Sequence, residues 1–167
     1  MQIPRRKSEA LKKRDEGPVY LTENGLRQLQ ERLARLKKAL PNFIVETQRT
    51  AAYGDRSDNA EYGEAKSTLR RTHGQILSLE DRIKRAVVIR PSKNFSSKVR
   101  LSSTVVLEVD GVRKIFQILG PHESDPARGR ISYKSPLGAA LLDHRKDETV
   151  IIKTATGLKK YRILEIR

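Results

Sequence analysis

Leu26, Leu29, Leu33, Leu36 and Leu40 recur at alternating spacings of three and four residues, and Ala65, Leu69, Thr72, Ile76, Leu79, Ile83 and Ala86 repeat the rhythm further along. Each series lays one apolar stripe along a helix, the a/d seam by which helices pack side by side. Two stripes of similar length joined by a short turn fold back as antiparallel neighbours. Residues 20–88 are therefore expected to form a helical hairpin. At 1.5 Å rise per residue, arms of about 32 residues would reach roughly 50 Å, with residues 54–58 as the far tip.

Local signals agree with that outline. Thr22 is a suitable N-cap, and Glu23 follows in the first turn where a carboxylate favours the helix dipole. Pro41 either kinks the first helix or merely removes one hydrogen bond from it. Gly54 marks a turn or helix end. Asp58, with Glu61 three residues later, resembles a capping box that would start the second helix.

The texture changes after Pro91. "TVVLEVDGVRKIFQIL" sets Asp110-Gly111, a tight-turn pair, between two β-rich runs and reads as a β-hairpin. "RISY", "TVIIKT" and "KKYRILEI" supply further short strands, with Gly157 in the turn joining the last two. Ser135 as N-cap and Pro136 at the first helical position open one short helix among them. The fold class is thus α+β. A basic tail (1–18) precedes a coiled-coil hairpin with an acidic tip (19–90), and a small, largely antiparallel sheet domain with one short helix (91–167) follows.

Charge narrows the range of partners. The chain carries a formal +15, spread as +3 over residues 1–18, +5 over 19–90 and +7 over 91–167. Such a field attracts polyanions, nucleic acid or a machine that carries it. With no cysteine there is no disulfide, thiol nucleophile or thiolate-ligated zinc, and His73, His122 and His144 form no ligand spacing. No apolar run suits a signal peptide or membrane span, which points to the cytosol.

Against this basic background, "TAAYGDRSDNAEYGEAK" gathers Asp55, Asp58, Glu61 and Glu64. First-turn carboxylates stabilise a helix by a few tenths to about one kcal/mol each, which alone accounts for Asp58, Glu61 and Glu64. Asp55, beside Gly54 in the turn itself, has no such explanation. Two carboxylates at an apex suit Mg²⁺, which accepts one or two of them alongside waters and substrate phosphates. A convex tip encloses no substrate, so any chemistry must be completed by a second macromolecule that receives it. Around the apex, Arg49, Arg56, Lys66, Arg70 and Arg71 are candidates to hold phosphates, with a solvated helix surface as the alternative. Tyr53 and Tyr62 either pack at the hairpin end or offer faces for base stacking.

The block "GDRSDNAEY", Gly54 to Tyr62, resembles the tip motif G-D-x-x-E-N-A-[ED]-Y of the bacterial transcript cleavage factors GreA and GreB. "AA" before "GDRS" leans toward the GreB branch, and "SPLGAALL" with "TVIIKTATG" resembles the family's C-terminal domain. The resemblance spans residues 20–167. It implies an FKBP-like C-terminal domain and a monomer whose hairpin enters the secondary channel of bacterial RNA polymerase. The factor is then no enzyme itself; it stimulates the polymerase to cleave backtracked RNA. By position, Asp55 and Asp58 match the tip acids that share a Mg²⁺ with the polymerase. Lys66 matches a basic residue that contacts the nascent RNA 3′ segment, and Gly54, Ser57, Asn59 and Tyr62 match the tip's structural positions. Asp58 is one methylene shorter than the family's glutamate, which bears on metal reach. The basic tail is expected to add a DNA or RNA contact of its own. Two other readings stay open: a secondary-channel regulator or inhibitor without cleavage activity, and a general basic nucleic-acid-binding protein.

Overall fold

A three-residue strand, β1 (Val19–Leu21), leads into helix α1 (Glu23–Ala51), and helix α2 (Ala60–Lys84) returns to a second short strand, β2 (Ala86–Val88). This computed structural model describes residues 17–53, 59–90, 97–154 and 157–167. The basic tail through residue 16 therefore lies outside the described residues, as do the connection 54–58 and residues 91–96 and 155–156.

The expected hairpin forms, with arms somewhat shorter than the seams suggested. Thr22 caps α1 by accepting the Gly25 N–H on its hydroxyl at 3.0 Å. The helix continues through exposed Pro41, which has no N–H to give the Lys37 carbonyl. Thr72, Ile76 and Leu79 are buried, whereas the five seam leucines of α1 are only half-buried. Two helices alone cover one stripe each and leave its flanks open to water.

Two expectations at the helix ends are corrected. The N-cap of α2 is Asn59, not Asp58: its side chain accepts the Tyr62 N–H at 3.0 Å. Glu61 is then one residue too early to close a capping box. At the other end, Ala86 belongs to β2 rather than to the helical seam. The run Ala86–Val88, rich in β-branched residues that favour extended backbone, pairs in parallel with β1 at Val19↔Ala86 and Leu21↔Val88. This two-stranded sheet ties the roots of the arms together, so the Ala51 and Ala60 ends lie at the opposite, far end.

The remaining strands are β3 (Thr104–Val109), β4 (Val112–Leu119), β5 (Arg130–Ser132), β6 (Thr149–Thr154) and β7 (Gly157–Ile166), with helix α3 (Pro136–Leu141) between β5 and β6. They form one sheet in the order β5-β4-β3-β7-β6, antiparallel except for β4 with β5. Asp110 and Gly111 both take positive φ, 54° and 75°, as a two-residue hairpin turn with the right twist demands. Ser135 caps α3 and Pro136 opens it, as read from the sequence. Strict alternation along β3 turns Val105, Leu107 and Val109 inward. Val105 and Leu107 meet Ile118, Val150, Ile152 and Ile163, and α3 adds Leu141 over the same core.

Specific contacts join the hairpin root to the sheet. Tyr20 and Tyr133 pack edge to face with ring centroids 5.9 Å apart. Gly120 lies so close to the Tyr20 carbonyl that a Cβ would collide with it. Glu123 accepts the Thr22 N–H at 2.7 Å and the Thr22 hydroxyl at 2.6 Å, placing a carboxylate from the sheet side at the start of α1. No described helix is long and apolar enough to cross a membrane.

Candidate functional site at the far end of the hairpin

Asn59 fastens the two arms together where they end. Its Nδ2 donates to the carbonyls of Thr50 at 2.9 Å and Tyr53 at 2.6 Å, while its Oδ1 takes the Tyr62 N–H. One side chain thus takes up the Tyr53 carbonyl, shares the Thr50 carbonyl with the Tyr53 N–H, and satisfies an amide left over at the start of α2. Thr50, almost fully buried, returns its own hydroxyl to the Glu46 carbonyl at 2.9 Å. The amide bracket fixes the two points between which Gly54, Asp55, Arg56, Ser57 and Asp58 must run. Those five residues, including both expected metal-binding acids, lie outside the described residues.

Of the basic residues expected around the apex, Arg56 lies outside the described residues and the other four are engaged or exposed one by one. Arg49 grips Glu46 with two hydrogen bonds, 3.0 and 2.7 Å, and its guanidinium stands 5.7 Å from the Tyr53 ring centroid. The Glu46 bond raises the Arg49 pKa above the usual guanidinium value, and the same bond lowers that of Glu46. Lys66 lies over Tyr62, 5.5 Å from its centroid. Arg70 is exposed, and Arg71 donates to the Thr68 hydroxyl at 3.3 Å. Tyr53 is 62% exposed, so it is not packed away at the hairpin end; Tyr62 is half-buried.

Glu61 and Glu64 line an open groove of about 430 Å³ together with Phe43, Glu46, Arg49, Ala65 and Thr68. Sequence reasoning missed Glu46, which sits four residues before Thr50 on the other arm and becomes a neighbour of Glu61 and Glu64 only through the register of the helices. Among the described residues no group of three or more histidine, cysteine or acidic side chains could hold a metal ion.

Family models cover almost all of the described chain. Residues 19–88 match "Transcription elongation factor, N-terminal", and residues 93–167 match "Transcription elongation factor, GreA/GreB, C-term". The chain belongs to the GreA/GreB family of transcription elongation factors. Transcription elongation factor GreA of Syntrophotalea carbinolica is 38% identical over 151 residues, covering 89% of this chain and 96% of that one. GreA of Halalkalibacterium halodurans is 37% identical over 156 residues, with 92% and 99% covered. These relatives bear the name GreA and lend no support to the GreB leaning of the tip motif. The solved structure of GreA factor homolog 1 of Thermus thermophilus aligns at 30% identity over 90% of this chain and 99% of that one, with a TM-score of 0.42. Family membership rests on the sequence matches, not on that alignment.

Proposed function

We propose that this GreA/GreB family member acts on bacterial RNA polymerase as a monomer, entering its secondary channel with the hairpin and stimulating cleavage of backtracked RNA. In this reading the basic tail 1–18, the hairpin 19–90 and the sheet domain 91–167 divide the work of attraction, delivery and docking. The Asn59 bracket is the observation that carries it. A factor that delivers two acids into another molecule's cavity needs the base of the delivering link held firmly, because misplacement of about an ångström costs a positioned group much of its effect. Asn59 holds both ends of the Asp55–Asp58 link at the end of the arms farthest from the sheet.

Asp55 and Asp58 are then the acids that complete a Mg²⁺ site together with the polymerase. Hard oxygen donors fit that ion, and two are too few to hold it alone. The bound metal would stabilise charge on the phosphate and activate a water. Lys66, held beside Tyr62, and Arg56, within the link itself, are the cations offered to an RNA 3′ segment. Arg49, occupied by Glu46 and Tyr53, serves first to stiffen the end of α1.

The test is incubation with a stalled, backtracked bacterial elongation complex and Mg²⁺, read as RNA length. Shortened RNA with the natural chain, none with Asp55→Asn, and unchanged binding of both to the polymerase are expected. Slower nucleotide addition without shortened RNA would replace this reading with that of a channel-occupying regulator. The carboxylates of Glu46, Glu61 and Glu64 at the same end, together with the shorter Asp58, make that the second reading.

A further inference from the structure

Tyr53, the last described residue before the acidic link, is tied down and yet open to solvent. Its N–H donates to the Thr50 carbonyl at 3.3 Å and its own carbonyl accepts from Asn59 Nδ2 at 2.6 Å, so the backbone is fixed on both sides. The ring is nonetheless 62% exposed, whereas that of Tyr62 is half-buried. The Arg49 guanidinium stands over the Tyr53 ring, 5.7 Å from its centroid. Glu46 in turn pins that guanidinium with two hydrogen bonds of 3.0 and 2.7 Å. A ring that served only the packing of the hairpin would lie between the arms, where its burial gains most. Glu46, Arg49 and Tyr53 form instead a stack built along α1 that ends in an exposed aromatic surface.

We propose that the Tyr53 ring is the platform on which the unpaired base at the RNA 3′ end stacks when the acidic link is delivered. The inference rests on the reading of this chain as a factor acting on polymerase, and it adds a positioning residue to that reading. A tyrosine side chain has only two torsions to lose on binding. Here the tied backbone and the cation held against the ring leave it less freedom still. The exposed part of the ring is then ready to take a second flat group in an offset stack. A nucleobase is such a group, and because every base has a π-face the platform accepts all four, the larger purines gaining more than uracil. Two residues of chain separate Tyr53 from Asp55, a reach of at most about 7 Å. A base lying on the ring therefore keeps its adjoining phosphodiester close to the acids.

The experiment assembles backtracked bacterial elongation complexes whose unpaired RNA 3′ nucleotide carries adenine, uracil or no base, and times Mg²⁺-dependent cleavage at saturating factor. Three full-length chains are compared: the natural one, Tyr53→Phe, and Tyr53→Leu, which keeps apolar bulk but has no π-face. The natural chain should cut the adenine end about tenfold faster than Tyr53→Leu does, a difference of about 1.4 kcal/mol that lies within the range for base–aromatic stacking. The advantage should shrink at the uracil end and vanish at the abasic end, and Tyr53→Phe should retain it throughout. A second readout needs no cleavage. With 2-aminopurine as the 3′ base, stacking should quench its fluorescence when the natural chain binds, and Tyr53→Leu should leave it bright. Cleavage slowed equally at all three ends by Tyr53→Leu would make the ring a contact for the polymerase itself and overturn the proposal. So would binding of the natural chain without quenching that depends on Tyr53. Quenching without shortened RNA would support the platform and remove only the cleavage role from the wider reading.

Discussion

Replacing Gly25 by alanine pits a helix preference against a contact between the hairpin root and the sheet. Gly25 is the third residue of α1 and fully enclosed, and a Cβ there would overlap Oε1 and Cδ of Glu123 and come within 2.9 Å of its Cγ. The carboxylate is the mobile end of a side chain and can swing aside, but only by releasing the Thr22 N–H and hydroxyl. Hydrogen bonds to a charged group are worth about 1.5–3 kcal/mol each when nothing replaces them. Thr22 and Glu123 are half-buried, so water recovers part of that loss and about 2 kcal/mol for the pair is a fair value. Alanine returns up to about 1 kcal/mol of helix propensity. The net cost is about 1 kcal/mol, a fall in Tm of about 2–4 °C for a chain of this size.

In a Glu123→Ala background the obstruction and both bonds are already gone, and the same Gly25→Ala change should raise stability by up to about 1 kcal/mol. Thermal melts of the four proteins, followed by far-ultraviolet circular dichroism, read the sign directly. Equal destabilisation by Gly25→Ala in both backgrounds would refute the view that Glu123 is what excludes a side chain at this position.

Asn59→Ala removes a cap and both cross-links between the arms, and should cost about 1–2 kcal/mol. Faster hydrogen exchange of the Tyr62 amide, with the sheet amides unaffected, would localise the loss to the far end of the hairpin. Leu107→Ala empties a fully buried position beneath the sheet and should cost about 2–5 kcal/mol, measured by urea unfolding. Acid should weaken the fold through carboxylates that the folded state keeps ionised. Glu46 is lowered by its bond from Arg49, Glu148 by the Arg145 backbone N–H and by His144, and Glu165 by Arg167. A depressed folded pKa contributes stability that is complete above the ordinary glutamate value of 4.5 and is lost as pH falls through the folded value. Melting temperature should thus be flat with respect to these groups above pH 5 and decline below about 4.5, and Glu46→Gln/Glu148→Gln/Glu165→Gln should flatten that decline.

What the sequence determined by itself was whatever neighbouring residues can encode. The leucine seam of α1, the Asp110-Gly111 turn and the Ser135-Pro136 helix start each depend on residues within a few positions of one another. Backbone geometry at that range leaves little choice. The acidic block at 55–64 was legible for the same reason, as a run of residue types out of keeping with a basic chain.

Tertiary structure decided everything that depends on which distant groups come to rest side by side. The pairing of β1 with β2 joins three-residue strands too short to announce themselves, across a sequence gap that only the closed hairpin bridges. Glu123 reaches Thr22 from 101 residues away, and Gly25 has a reason to be glycine only once it arrives. The choice of Asn59 over Asp58 as cap turned on two carbonyls of the opposite arm, to which an amide can donate and an ionised carboxylate cannot. Glu46 comes beside Glu61 and Glu64 because of the register between α1 and α2. That register is set by how two half-buried seams interlock, a sum of many weak contacts that no single residue reveals.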